Sequence, residues 1–522
     1  MALLRSIATV GGYTMASRIL GFARDILIAA GLGAGTVADA FFVAFKLPNF
    51  FRRLFAEGAF NAAFVPLYSG RLATDGPAVA ARFAAEVLSV LVTVLFVFVT
   101  AAQIAMPALM YLFAPGFADD PAKFRLAVEL TRLTFPYLLF ISLVSLLGGV
   151  LNSLGRFAAA AATPIVLNLA LIGALLGATP FLPTPGHALA WGVAAAGIAQ
   201  FLWMVIACRR AGVHFYLPRP RLTPAVKRML RLMVPGAIGA GVVQINLLID
   251  TVIASLLPTG AVSYLYYADR INQLPLGVVG VAVGTALLPL LARQIRTGDE
   301  TGARHSMNRA LEFALFLTVP GAAALIVMAH PVIAVLFERG AFGERETTAT
   351  AHALMAFALG LPAYVLVKVL GPGFFAREDT ATPVKIAIGC VFANVAISLS
   401  LIQFIAHVGI ALATATTAWI NAGAMWSILN ARGQFAADVR LRRRALRILV
   451  ASALMAAGLW AGTTVLAGWL AAHGPMRWIA LGLLVASGLA LYGGLALLLG
   501  AADRTDLDRL IPRRFRRSAS DA

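Results

Sequence analysis

Apolar runs of about twenty residues recur from one end of the chain to the other, parted by short polar connections that carry glycine or proline. A helix needs that length to cross ~30 Å of hydrocarbon. Read by run and breaker, the pattern predicts about fourteen spans, near 5–31, 36–70, 80–113, 124–153, 157–180, 187–208, 232–257, 260–292, 308–337, 348–371, 383–405, 408–430, 446–470 and 477–500. The expected fold class is an all-α polytopic membrane protein. Composition agrees, since 60% of the 522 residues are hydrophobic and only 12% are charged, more than a soluble core requires. Cys208 and Cys390 suggest neither a disulfide framework nor a metal site. Met1–Ser6 runs straight into an apolar segment broken by Arg18 and Arg24, so no cleavable signal is expected.

Charge then orients the spans. Alternate connections are rich in basic residues, chiefly those at 209–231, 293–309, 432–447 and 504–517. The opposite set holds only Lys123, Arg125, Arg339, Arg345 and Arg477. The positive-inside rule puts both termini in the cytoplasm. The net charge of +19 is thus mostly a topology signal. Nucleic acid is not an expected partner, because the basic residues are spread over many short loops with no binding fold beside them.

The two halves echo one another. Residues 44–67, AFKLPNFFRRLFAEGAFNAAFVPL, align in one register with 267–290, YADRINQLPLGVVGVAVGTALLPL. Arg82 and Glu86 match Arg309 and Glu312, and Pro136, Arg156 and Ala162-Thr163-Pro164 match Pro362, Arg377 and Ala381-Thr382-Pro383. About six spans separate the copies, and an even number makes the repeat parallel. The expected organisation is two six-helix bundles, 1–215 and 216–435, with the basic linker 209–231 at their boundary. An additional helix pair at 436–500 and a basic cytoplasmic tail at 501–522 follow. Two packed bundles around a central cavity suit a transporter.

Against that apolar background, charges inside spans stand out. A charge at the bilayer centre costs at least ~2.5–3.5 kcal/mol, so such groups face a watery cavity or a partner. Span 1 holds Arg18, Arg24 and Asp25; span 2 holds Asp39, Lys46, Arg52, Arg53 and Glu57; span 8 holds Asp269 and Arg270. Helical spacing aligns Asp39, Lys46, Arg53 and Glu57 on one face, with Arg52 roughly 100° away and Pro48 as a kink that blurs the register. Cations outnumber carboxylates in this set, so a cavity lined by it suits an anion, and guanidinium matches phosphate bidentately. The bland alternative is mutual pairing, with Arg24–Asp25 and Arg270–Asp269 as the obvious pairs. Asp250, near Asn246 and Gln244 in span 7, is a candidate site for a coupling cation or proton. Lys368 is expected to snorkel. Between 448 and 500 the sole charged residue is Arg477, so that pair of helices either faces lipid or holds a lipid tail.

Enzymatic signatures are missing. Neither a GxxxxGK[ST] phosphate loop nor an HExxH pair occurs, and no catalytic residue, cofactor or metal is expected. Asp119-Asp120-Pro121 is similar to acidic motifs of membrane glycosyltransferases, but an Asp120 N-cap with Pro121 at the first helical position is the simpler account. The glycines at 31–35 read as a tight turn between spans.

Three stretches carry a family resemblance. SRILGFARD at 17–25, ADAFFVAFKLPNFFRRLFAEGAFNAAFVP at 38–66 and YYADRINQLPLGVVGVAVGTALLP at 266–289 closely resemble the MurJ (MviN) family of lipid II flippases, whose superfamily includes multidrug exporters of the MATE type. The likeness covers essentially the whole chain, the two C-terminal spans included. It implies a bacterial inner-membrane flippase that moves the undecaprenyl-pyrophosphate-linked peptidoglycan precursor from the inner to the outer leaflet. It also implies substrate or gating roles for Arg18, Arg24, Asp39, Arg52 and Arg270; Asp25, Lys46, Arg53, Glu57 and Asp269 are further candidate cavity residues from their placement inside spans alone. Residues 446–500 would line a groove for the lipid tail. Some members bind sodium near the seventh span, where only Asp250 matches. The rival expectation is a cation-coupled drug exporter, which would want an acidic or aromatic cavity.

Overall fold

The computed structural model describes the backbone of residues 2–53, 60–472 and 474–502. Glu57 and all but the first two residues of the expected basic tail lie outside the described residues. Contacts divide the chain into two compact units, Met1–Ser263 with Arg339–Glu346, and Tyr264–Glu338 with Thr347–Ala522.

The first unit contains α1 (Ala2–Leu32), α2 (Thr36–Phe51), α3 (Phe60–Thr74), α4 (Pro77–Ile104), α5 (Met106–Phe113), α6 (Pro121–Thr134), α7 (Tyr137–Ser153), α8 (Ala158–Gly177), α9 (Pro185–Arg210) and α10 (Pro224–Ser255), together with the first turn of α11 (Ala261–Arg296). Its tightest pairings are α8 with α9 and α1, α7 with α9, and α2 with α6. The rest of α11 opens the second unit, followed by α12 (Glu300–Val327), α13 (Ala329–Phe337), all but the first three residues of α14 (Glu344–Leu359), α15 (Leu361–Phe375), α16 (Ala381–Ala431), α17 (Val439–Val465), α18 (Ala467–Ala471) and α19 (Pro475–Leu498). There α12 packs on α15 and α17, α15 on α16, and α17 on α19. The contacts therefore place α10 with the first unit, although the sequence repeat starts its second copy before it.

The all-helical class is as expected. Among the described residues, nine helical stretches are long and apolar enough to cross a membrane. One of them, α16, holds two of the expected spans, 383–405 and 408–430, parted where Ile405 and Ala406 leave helical geometry. Three further long helices hold charges in their interiors: Arg18, Arg24 and Asp25 on α1, Asp250 on α10, and Asp269 and Arg270 on α11. The expected span 36–70 falls into α2 and α3, on either side of residues outside the description.

The turn at 33–35 is tight for a physical reason. Gly33 has φ +62°, and a Cβ there would sit 2.3 Å from the carbonyl oxygen of Ala341. Gly340 mirrors it, with φ +58° and a hypothetical Cβ 2.3 Å from the Ala30 carbonyl oxygen, which also accepts the Ala341 N–H at 2.9 Å. Two backbones touch at this turn, and only glycine fits.

Prolines inside helices remove the hydrogen bond to the carbonyl four residues back. Three of those carbonyls find a hydroxyl instead. Pro48 leaves Ala44, whose oxygen accepts from Thr134 Oγ1 at 2.7 Å. Pro164 leaves Ala160, which accepts from Thr163 Oγ1 at 2.7 Å. Pro320 leaves Phe316, which accepts from the Tyr492 phenol at 2.8 Å. The first and third of these bonds also tie helices together, α6 to α2 and α19 to α12.

The repeated Arg–Glu pair has a common use. Glu86 accepts from Thr223 Oγ1 at 2.9 Å, and Thr223 is the N-cap of α10. Glu312, only 6% exposed, pairs with Arg309, Arg440 and Arg444 at the start of α17. Asp438 caps α17 through the Leu441 N–H and also pairs with Arg309. Each copy of the pair therefore anchors the helix that follows its bundle. The Arg377 echo is also a connector: Arg377 pairs with Glu300, and in the same loop Arg432 and Thr382 hold the Asp379 carboxyl well below the usual carboxylate range.

Below this network α17 and α19 pack on α12 through Met328, Ile448, Met455, Leu459, Leu484 and Tyr492. Removing the shared carboxylate with Glu312→Gln should strand the buried Arg444 and destabilise the protein by roughly 3–5 kcal/mol. Thermal unfolding in detergent would show it, and Glu312→Leu with Arg444→Leu should recover most of the loss.

Candidate functional site

The charged turn of α1 is built around Arg24. Arg24 and Asp25 are 5% and 3% exposed. The guanidinium binds Asp25 Oδ1 through Nε at 3.0 Å and Nη2 at 2.6 Å, and donates through Nη1 to Asn168 Oδ1 at 2.9 Å. Asn168 in turn donates to the Ser17 carbonyl at 2.9 Å, which fixes α8 on α1. The guanidinium also stands 6.0 Å from the Phe45 ring centroid on α2. The adjacent pair foreseen from the sequence is formed, and Asn168 extends it. Arg18 is exposed on the same helix and makes no hydrogen bond or ion pair to any described residue.

The stripe expected on α2 divides into two environments. Lys46 and Arg53 are exposed and Arg52 is half-buried. Lys46 donates to Thr251 Oγ1 of α10, and Arg52 donates through Nε to Asn49 Oδ1 at 3.1 Å. Asp39, at the first turn of α2, is 1% exposed and fully engaged. Its Oδ2 accepts from Lys123 Nζ at 2.8 Å and from the Gly260 N–H at 2.8 Å. Its Oδ1 accepts from Ser263 twice, from N–H at 3.0 Å and from Oγ at 2.6 Å. Gly260 and Ser263 are the N-cap and third residue of α11, so the carboxylate caps the positive end of that helix.

Lys123 is the residue sequence reasoning missed. It was expected in an external loop; it is instead 3% exposed at the start of α6. Its ammonium also reaches Thr259 Oγ1 at 3.3 Å and lies 4.3 Å from the Phe117 ring centroid. The expected Asp120 N-cap is formed, accepting from the Ala122 and Lys123 N–H groups at 3.0 and 3.1 Å, and so aims Lys123 inward. Nothing local in the sequence pairs Lys123 with Asp39; the contact exists only because α2 packs on α6.

In the second unit Arg270 donates to the Tyr266 hydroxyl at 2.9 Å and lies 5.0 Å from that ring's centroid. Asp269 accepts from Gln273. Asp250, on α10 of the first unit, is half-buried. Among the described residues no cluster of three or more metal-ligating side chains occurs.

A family model described as lipid II flippase MurJ matches residues 28–479. The chain belongs to the lipid II flippase MurJ family. A MurJ relative from Rhizobium meliloti (strain 1021), described as a probable lipid II flippase, is 48% identical over 98% of this chain and 97% of its own. A Burkholderia cenocepacia protein described as lipid II flippase MurJ is 37% identical over 88% of this chain and 90% of its own. A solved structure of lipid II flippase MurJ in an inward closed conformation superposes with a TM-score of 0.77 at 26% identity, covering 94% of this chain and 98% of that one. An inward-facing MATE-family transporter reaches 0.65 at 14% identity over 82% of this chain, a likeness of fold alone.

Within this MurJ-family chain the Asp39–Lys123 pair has a measurable cost of disruption. Lys123→Met leaves a buried carboxylate without its counter-ion and should destabilise the protein by roughly 3–5 kcal/mol. Asp39→Asn combined with Lys123→Met should regain most of that in thermal unfolding. Equal melting temperatures for the single variant and the parent would reject the pair as a stabilising contact.

Proposed function

We propose that this chain carries a lipid-linked peptidoglycan precursor from the inner to the outer leaflet of the bacterial cytoplasmic membrane by alternating access, without covalent chemistry on the lipid. Family membership supports the substrate. One structural observation supports alternating access: the buried carboxylate of Asp39 is held by four separable polar contacts from α6 and from the N-terminal end of α11. Such a lock closes one end of a pathway and can be dismantled contact by contact.

In this scheme both termini are cytoplasmic, following the basic connections. The functional parts are bundles 1–215 and 216–435, with 436–500 as an added pair beside the lipid tail. Arg18, Arg52 and Arg270 bind the pyrophosphate, because guanidinium forks match phosphate oxygens. Arg24 is neutralised by Asp25 in this state and joins by exchanging that carboxylate for phosphate. Asp39 gates. Lys46, Arg53, Glu57 and Asp269 tune the cavity charge, and Asp250 is the candidate site for a coupling cation. The drug-exporter alternative retains only a shared fold.

Depleting the protein in cells and then assaying lipid II by leaflet should find the precursor trapped on the inner side; unchanged translocation would overturn the proposal. Arg18→Ala and Arg270→Ala should each abolish complementation at ordinary expression, whereas full growth would remove that arginine from the substrate site.

A further inference from the structure

The helix α6 is amphipathic in a way the transport scheme does not use. Ala127, Leu130, Thr131 and Thr134 are buried on one side. Arg125, Glu129 and Arg132, spaced by four and three residues, share the exposed side. They face an open crevice of about 770 Å³ on the first unit, between α6, the 179–183 turn and the start of α9.

Its polar wall is incompletely satisfied. Arg125 and Arg132 each use Nε on a backbone carbonyl, of Pro121 and Gln103 respectively, both at 3.3 Å. Among the described residues neither guanidinium has a carboxylate within ion-pair distance. His187 lines the same crevice and is 7% exposed. Its Nδ1 contacts Thr184 Oγ1 at 2.8 Å, while the buried Nε2 has no hydrogen-bond partner among the described residues. Glu129, whose carboxylate is mostly exposed, stands 3.6 Å from that nitrogen, within ion-pair distance but beyond hydrogen-bond reach. Buried polar atoms in native proteins are rarely left so.

The other wall is apolar, formed by Phe124, Leu182 and Trp191. Trp191 is 53% exposed in the second turn of a membrane-length helix, where tryptophan marks the membrane–water boundary. Two cations against one carboxylate select an anion, and the apolar wall selects an anion with a hydrocarbon part. We propose that this crevice is a binding site for an anionic phospholipid, with the phosphate between Arg125 and Arg132, a headgroup oxygen on His187 Nε2, and an acyl chain along Leu182 and Trp191.

Full-length protein with phosphatidylglycerol or phosphatidylcholine, examined by native mass spectrometry, tests it. The parent should retain phosphatidylglycerol preferentially. Arg125→Gln with Arg132→Gln should weaken that retention roughly thirtyfold, taking about 1 kcal/mol for each basic group, at an unchanged melting temperature. Phosphatidylglycerol with brominated chains should quench tryptophan emission in the parent and distinctly less in Trp191→Phe. Equal retention of the two lipids, or retention untouched by the double substitution, would overturn the site. Displacement by glycerol phosphate at equal concentration would show a headgroup-only site and overturn the lipid assignment. A photo-crosslinker at Glu129 that captures a protein instead of lipid in cells would also overturn it.

Discussion

Inside hydrocarbon there is no water to receive a stray N–H, C=O or charge, and each one left unpaired costs several kcal/mol. The placement of polar atoms in this chain follows from that constraint. It explains the hydroxyls that answer Pro48, Pro164 and Pro320. At these three prolines the orphaned carbonyl finds a donor, supplied by Thr134, Thr163 and Tyr492. Two of the three come from another helix, which turns a local defect into a tertiary tie. Tyr492 is the sharper case: it lies in the apolar C-terminal part of α19, and its phenol fixes the helix to α12 by direction as well as by burial.

The same constraint governs the charges, and here stability and function pull apart. Arg24 is satisfied by Asp25 and Asn168, so its positive charge is largely cancelled where it sits. Arg18, exposed on the same helix, keeps its full attraction for an anion. A cavity of satisfied arginines would be stable and inert; one of unsatisfied arginines would bind phosphate strongly and release it slowly. Along α1 both conditions occur, with Arg24 paired to Asp25 and Asn168 and Arg18 exposed.

Much of this was legible in the sequence. Run length and breakers revealed the helices, because apolar length is dictated by bilayer thickness. The Arg24–Asp25 pair, the Asp120 cap and the turn at 33–35 were legible because each is local. What escaped was long-range. Lys123 lies 84 residues from Asp39, and Asn168 lies 144 from Arg24; no spacing rule joins such positions. The stripe on α2 also misled, since helical periodicity puts Asp39 and Lys46 on one face but cannot say that the first turn is covered by α6 and the N-terminal end of α11. The Arg–Glu echo was visible as a pattern, yet its use, anchoring α10 and α17, needed the partners Thr223 and Arg444.

A polar lock suits the proposed gate better than an apolar one would. Separating an apolar contact exposes surface at ~25 cal/mol per Å², with nothing returned. Separating Asp39 from Lys123, Gly260 and Ser263 loses charge-assisted hydrogen bonds, but water entering the opened site rehydrates both charges and recovers most of the desolvation cost already incurred by burying them. The two states of such a lock differ by far less than its four contacts sum to. It is rigid while dry and opens at modest cost once wetted, which is the energetic condition for a gate that cycles without chemical drive at the contact itself.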